Sequence, residues 1–128
     1  MRDIARFNVV TCKVTDDIPH VAKKMVDAEV GSIFVEDKGK VIGLITDGQI
    51  FRLVADRENL DKKTAKDIMV TPLKEVDVDA SLKDALEIFQ KTGFKRLAVT
   101  EKGKIVGVLS RKLVQRFSRF GRAKTLTK

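Results

Sequence analysis

Residues 1–50 recur as residues 65–114 at a constant offset of 64, without a gap. Asp3-Ile4 falls on Asp67-Ile68, Val14 on Val78, Val35 on Val99, Lys38-Gly39-Lys40 on Lys102-Gly103-Lys104, and Gly43 on Gly107. Eight identities in fifty pairs are modest, and the apolar positions decide the matter. Ile18/Leu82, Val21/Ala85, Ala22/Leu86, Met25/Phe89, Ile33/Leu97, Val41/Ile105, Ile42/Val106, Leu44/Val108 and Ile45/Leu109 are apolar in both copies. A chain of 128 residues is long enough for one domain or two small repeats, not for two unrelated domains of ordinary size. The division expected from this offset is 1–60, 61–120 and a short basic tail, 121–128.

Each copy reads as helix, strand, Gly turn, strand, helix. Ile18, Val21, Ala22 and Met25 recur at i, i+3, i+4 and i+7, one buried stripe of a helix, and Leu82, Ala85, Leu86 and Phe89 repeat it. Asp17 is placed to cap the first helix, with Pro19 tolerated in its opening turn. Ser81 and Asp84 have the spacing of a capping box, and Gly93 is expected to stop the second helix. Hairpins follow: Ser32–Glu36 with Val41–Thr46, and Arg96–Thr100 with Ile105–Ser110. Further helices are expected over Asp47–Arg57 and Arg111–Phe120, and the polar stretch Asp56–Lys66 joins the copies. The fold class is α+β, two pseudo-symmetric repeats each with a small sheet and flanking helices. A single unit buries one sheet face, so the copies are expected to pack sheet to sheet, leaving ligand-sized clefts between them.

Charge is unevenly placed. Residues 1–110 carry 19 Lys/Arg against 18 Asp/Glu, whereas residues 111–128 carry seven basic residues and no acidic one. The single cysteine, Cys12, excludes an internal disulfide and a Cys-rich zinc site, and fits a reducing cytoplasm. One His and one Cys leave little equipment for nucleophilic catalysis, so an enzyme is not expected. The apolar runs are strand-length, far short of a membrane span, and the N-terminus lacks a secretory signal pattern.

Several stretches carry a resemblance. Asp67-Ile68-Met69-Val70-Thr71-Pro72, the Gly-turn hairpins, the strand ends Gly43-Leu44-Ile45-Thr46 and Gly107-Val108-Leu109-Ser110, and Gly93 to Val99 resemble those of cystathionine-β-synthase-type (CBS) domains. The whole chain is similar to a stand-alone tandem pair, or Bateman module. The resemblance implies a non-enzymatic regulatory module that binds AMP, ADP, ATP or S-adenosylmethionine in the cleft between repeats, with no further cofactor, and that forms a homodimer.

The family's ribose-phosphate motif is Gly, an apolar residue, any residue, Ser or Thr, two further residues, then Asp. Its hydroxyl faces phosphate and its carboxylate accepts from the ribose hydroxyls. In the first copy Thr46 is in place and Gln49 stands where Asp is expected, an exchange worth about 1–2 kcal/mol of ribose binding. In the second, Ser110 is in place and Leu113 occupies the Asp position, which removes the ribose acceptor. Arg111 or Lys112, opening the next helix, is a candidate for phosphate. Lys95 and Arg96 match the family's basic positions, where the first copy has Gly31 and Ser32. By resemblance the adenine would meet Val70, Thr71 and Pro72 on the strand entering the second repeat, with Asn8, Val9 and Val10 as counterparts. If one cleft alone is filled, the one holding Thr46 and Gln49 is favoured.

Simpler roles stand beside these. Thr46 and Ser110 are also helix caps, and Lys95 and Arg96 also suit an exposed sheet edge. Gly39 and Gly103 are turn glycines, since no Gly-Lys-Ser/Thr follows them. His20 reads as an exposed helix-start residue, and Cys12 as a small buried hydrophobe. Two other functions remain open: a structural or dimerisation module with empty clefts, and weak, salt-sensitive nucleic-acid association through the basic C-terminal segment.

Overall fold

The computed structural model describes Ala5 and residues 7–126, with side chains described through Ser118. The chain divides into two compact units. One is Val9–Leu73; the other runs from Lys74 and, among the described residues before Val9, takes in Ala5, Phe7 and Asn8.

The first unit runs β1 (Thr11–Lys13), α1 (Ile18–Ala28), β2 (Ser32–Asp37), β3 (Lys40–Thr46) and α2 (Asp47–Ala55), then a 3-10 turn (Leu60–Lys62) and the short α3 (Ala65–Ile68). The second runs β4 (Glu75–Asp77), α4 (Leu82–Thr92), β5 (Arg96–Glu101), β6 (Lys104–Ser110) and α5 (Arg111–Leu126). Each sheet is mixed and three-stranded, in the order β1-β2-β3 or β4-β5-β6. The short first strand runs parallel to the second, which pairs antiparallel with the third. Even the irregularities repeat: β2 slips register between Val35 and Glu36, and β5 between Val99 and Thr100.

Local chemistry explains the elements. Lys38-Gly39 and Lys102-Gly103 join the hairpins with positive φ at both residues, 52° and 79° in the first and 52° and 78° in the second. That turn matches the right-handed twist of the strands it joins. Asp17 Oδ1 accepts from the His20 backbone N–H at 2.9 Å to open α1, and Ser81 Oγ accepts from that of Asp84 at 3.0 Å to open α4. Gly93 ends α4 in the left-handed conformation (φ 72°); its counterpart Glu29 ends α1 the same way (φ 55°). The apolar stripes fill two cores. Ile18, Val21 and Met25 pack with Ile33, Val35 and Ile45 in the first unit, and Ala85 and Phe89 with Leu97, Val99 and Leu109 in the second.

The lead-in to each repeat differs from the sequence expectation. Val70, Thr71 and Pro72 do not form the strand entering the second sheet; that strand is β4, Glu75–Asp77. Residues 61–73 instead lie on the first unit. The Ala65 N–H donates to Asp16 O at 2.8 Å and the Ile18 N–H to Lys63 O at 3.1 Å. Ala65 is fully buried in the first core, with Ile68 and Met69 packed against it. Correspondingly, Ala5, which matches Met69 at the offset of 64, packs against the second core. The connecting stretch is thus held by the unit that precedes it, because its backbone groups and apolar side chains find partners there.

Two further expectations change. The Phe34 N–H donates to Val10 O and the Ala98 N–H to Lys74 O, each at 2.9 Å, so Val10 corresponds to Lys74 and Asn8 to Pro72. The last helix continues past Phe120 to Leu126, and Gly121 does not end it. Of the tail expected over 121–128, Thr127 and Lys128 lie outside the described residues.

Candidate functional site

Each unit builds the same corner, where the third strand ends and a helix begins. In the first unit Ser32 pairs with Thr46 across the β2–β3 ladder, and the Asp47 N–H donates to Gly31 O at 2.9 Å. In the second Arg96 pairs with Ser110 across β5–β6, and the Arg111 N–H donates to Lys95 O, also at 2.9 Å. The hydroxyl residue thus stands beside the first residues of two different segments, at the free N–H groups of a helix. This backbone frame is common to both copies.

The side chains on it are not. In the first corner Thr46 and Gln49 form a capping box that opens α2. The Thr46 N–H donates to Gln49 Oε1 at 2.8 Å, and the Gln49 N–H donates to Thr46 Oγ1 at 3.4 Å. The Thr46 hydroxyl lies 3.3 Å from the same Gln49 oxygen. On its other side Gln49 Nε2 donates to Ile68 O at 2.6 Å. The oxygen that the ribose role calls on therefore serves the helix cap in this structure, and the amide ties α2 to α3. Asp47 Oδ1 accepts from the Gly48 N–H at 2.7 Å, in line with a local helix-start role.

The second corner has one cap bond, from the Leu113 N–H to Ser110 Oγ at 3.3 Å. Around it the first unit's Gly31, Ser32, Asp47 and Gly48 are replaced by Lys95, Arg96, Arg111 and Lys112. Lys95 and Lys112 are exposed, Arg96 and Arg111 half-buried. One guanidinium nitrogen of Arg96 donates to Lys95 O at 3.4 Å. In the sequence Lys95 and Arg96 stand out by their match to the family's basic positions, and Arg111 by its place at a helix start. The register joins all of them, since pairs that are distant in sequence become cross-strand neighbours. The signal is present in the repeat alignment as two adjacent pairs of replacements toward positive charge, 95–96 and 111–112, at the two ends of one ladder rung.

Val70, Thr71 and Pro72 belong with the first corner rather than the second. Val70 exchanges two backbone hydrogen bonds with Leu44, at 2.8 and 3.1 Å, and Thr71 Oγ1 donates to Ile42 O at 2.8 Å. All three residues keep exposed surface. Just before them Met69 lies so close to β3 that a Cβ on Gly43 would meet its Sδ at 2.6 Å, which explains a glycine there. Upstream, Asp67 accepts from the Thr64 N–H at 2.9 Å, and that bond and the Thr64 hydroxyl hold its carboxyl below the usual carboxylate range.

These features and the repeat itself can be compared with known proteins. The profile of the CBS domain matches the chain twice, over residues 1–56 and 65–118. The chain belongs to the CBS-domain family. It is a tandem pair of CBS domains, a family of regulatory modules that commonly bind adenosyl ligands. Relatives include an uncharacterized protein of Methanopyrus kandleri, 30% identical over 84% of this chain and 57% of its own length. Another, from Acidianus ambivalens, is 32% identical over 84% of this chain and 65% of its own length. The chain thus spans about three fifths of these relatives. Among solved structures, an uncharacterized conserved protein from Pyrococcus horikoshii superposes with a TM-score of 0.77 at 24% identity, covering 92% of this chain and 90% of that one. A hexameric CBS-CP12 protein from bloom-forming cyanobacteria reaches 0.81 at 20% identity, covering 94% of this chain and 72% of that one. At these identities the likeness is one of fold.

The remaining polar candidates of the CBS pair have local roles. Cys12 is buried, and burial, with Asp16 next, pushes its thiol up to about 11, so it is a poor nucleophile. His20 stands exposed at the start of α1, its ring against Asp17. Its backbone N–H and its ring hold the Asp17 carboxyl below the ordinary range. Among the described residues no cluster of three or more His, Cys, Asp or Glu is arranged to hold a metal ion, and no helix is long and apolar enough to cross a membrane.

Proposed function

We propose that this CBS pair is a non-enzymatic cytoplasmic regulatory module that senses an adenosyl ligand, and that AMP, ADP or ATP suits it better than S-adenosylmethionine. The observation that carries the reading is the corner around Ser110, where Lys95, Arg96, Arg111 and Lys112 replace Gly, Ser, Asp and Gly of the sister corner. Four cations beside a helix start favour phosphate, and they disfavour a sulfonium cation. In this proposal Lys95, Arg96, Ser110 and Arg111 take the phosphates. Thr46, Gln49, Val70, Thr71 and Pro72 form the second candidate position, where Gln49 would have to exchange a cap bond for a ribose bond. Ligand binding would act by favouring one arrangement of the module over another, to the extent that affinity differs between them.

Nucleotide-stripped protein is expected to melt at higher temperature with AMP, ADP or ATP, by an amount equivalent to about 2.7 kcal/mol at a hundredfold excess over Kd. Arg96→Ala should weaken the phosphate-bearing ligands and leave adenosine unchanged. No shift with any nucleotide or with S-adenosylmethionine overturns the reading.

A second reading, a homodimerisation module with unfilled clefts, has its own support. Gln49 is committed within the first corner, Leu113 offers the second no ribose acceptor, and α2 exposes Phe51 and Val54, one helical turn apart, at 68% and 58%. Under this reading light scattering gives a dimer whose stability no adenosyl ligand alters.

A further inference from the structure

Beyond its first turn, the basic C-terminal helix is not accounted for by ligand sensing. Helix α5 has 16 residues, about 24 Å of axis at 1.5 Å per residue. Its first two turns are anchored, with Val114 fully buried in the second core and Leu113 packed against it. Phe117 lies on the same face as Val114, one turn on, yet is 45% exposed. The helical backbone continues past Phe117 to Leu126.

The polar side has a definite pattern. Lys112, Gln115 and Arg116 are exposed, and no carboxylate among the described residues forms an ion pair with Lys112 or Arg116. The helical period puts positions 112, 116, 119 and 122 in one row, all of them Lys or Arg, over about 15 Å. No acidic residue occurs from 111 to 128. A row of cations four and three residues apart is matched by a regularly charged polymer, such as the phosphodiester backbone of a nucleic acid with about one charge per 1.7 Å of duplex. A lipid surface fits less well at the start of the helix, because interfacial helices bury a free apolar face. Here Leu113 and Val114 of that face are already taken by the core.

We propose that α5 binds the phosphate backbone of nucleic acid through the row Lys112, Arg116, Arg119 and Arg122, without reading sequence. About four phosphate contacts imply a slope of log K against log salt near −3.6 on duplex DNA, hence about a 100-fold loss of affinity between 50 and 200 mM salt.

The test is fluorescence anisotropy of a labelled mixed-sequence duplex with the full chain, run beside sedimentation with vesicles containing phosphatidylserine. The parent is expected to bind at about micromolar Kd in low salt, with that slope. The Arg116→Glu/Arg119→Glu variant should lose at least about tenfold, while Lys38→Glu/Lys102→Glu, equal in charge but on the hairpin turns, keeps most of the binding. Circular dichroism checks that both variants fold; if the first does not, Arg116→Gln alone should flatten the salt slope by about 1. Absence of duplex binding at 50 mM salt, equal loss in both charge variants, or preference for vesicles overturns the proposal.

Discussion

The two motif corners share the same strand pairing and a backbone hydrogen bond of the same length, yet they have been filled in opposite ways. The N–H that opens each helix donates to the residue before the middle strand at 2.9 Å in both. On that frame the first corner is polar and closed on itself, with Gln49 bonded to Thr46 and to Ile68. The second is cationic, with Leu113 in place of Gln49 and a single cap bond to Ser110. A duplicated fold holds main-chain geometry because the ladder requires it, whereas the side chains at a strand end are constrained only by what they meet. The first corner meets α3 and Met69, and its residues are chosen for that docking. The second carries the charge expected of an anion site.

Close approach gives the strongest way to break this contrast. Gly43→Ala places a Cβ against Met69 and is expected to cost about 1–3 kcal/mol, read from urea unfolding. Adding Met69→Ala should recover part of that loss. Gly107→Ala should cost less, since the residue matching Met69 is Ala5. Equal costs for the two glycine variants would mean that Met69 does not explain the glycine.

Gln49→Leu makes the first corner resemble the second. It removes the acceptor for the Thr46 N–H and the donor to Ile68 O, and a loss of about 1 kcal/mol is expected. Hydrogen exchange should speed at the Val70 amide, which is held next to this contact. A silent variant would return Gln49 to a role in ligand binding alone.

The smallest effect concerns the helix ends. Glu29 adopts at φ 55° the left-handed conformation that Gly93 adopts at 72° in the other copy. Glu29→Gly is expected to stabilise the protein by up to about 1 kcal/mol, the relief of strain being partly offset by unfolded-chain entropy. A drop in melting temperature would show that the Glu29 side chain has contacts worth more than that strain.

The repeat made much of the fold legible before any coordinates. The apolar stripes of α1 and α4, both Gly turns, and the caps at Asp17 and Ser81 depend on residues within a few positions of one another, where pattern and chemistry are direct evidence. The short strands β1 and β4 were not legible, because three residues carry no period. Nor was the docking of Val70 and Thr71 onto β3, which depends on backbone pairing with Leu44 and Ile42 far back in the chain. Thr46 and Gln49 are candidates in the sequence through its resemblance to the family's ribose-phosphate motif. That Gln49 caps its own helix while holding Ile68 needed both ends of that contact to be positioned.

Amino-acid order alone determined that this protein is a duplicated unit of helices and hairpins with a cationic C-terminal helix, since periodicity, turn residues and charge are properties of neighbours. Tertiary structure decided which sheet receives the connecting segment and which cations share a corner, since those depend on strand register, and register joins residues that the chain keeps far apart.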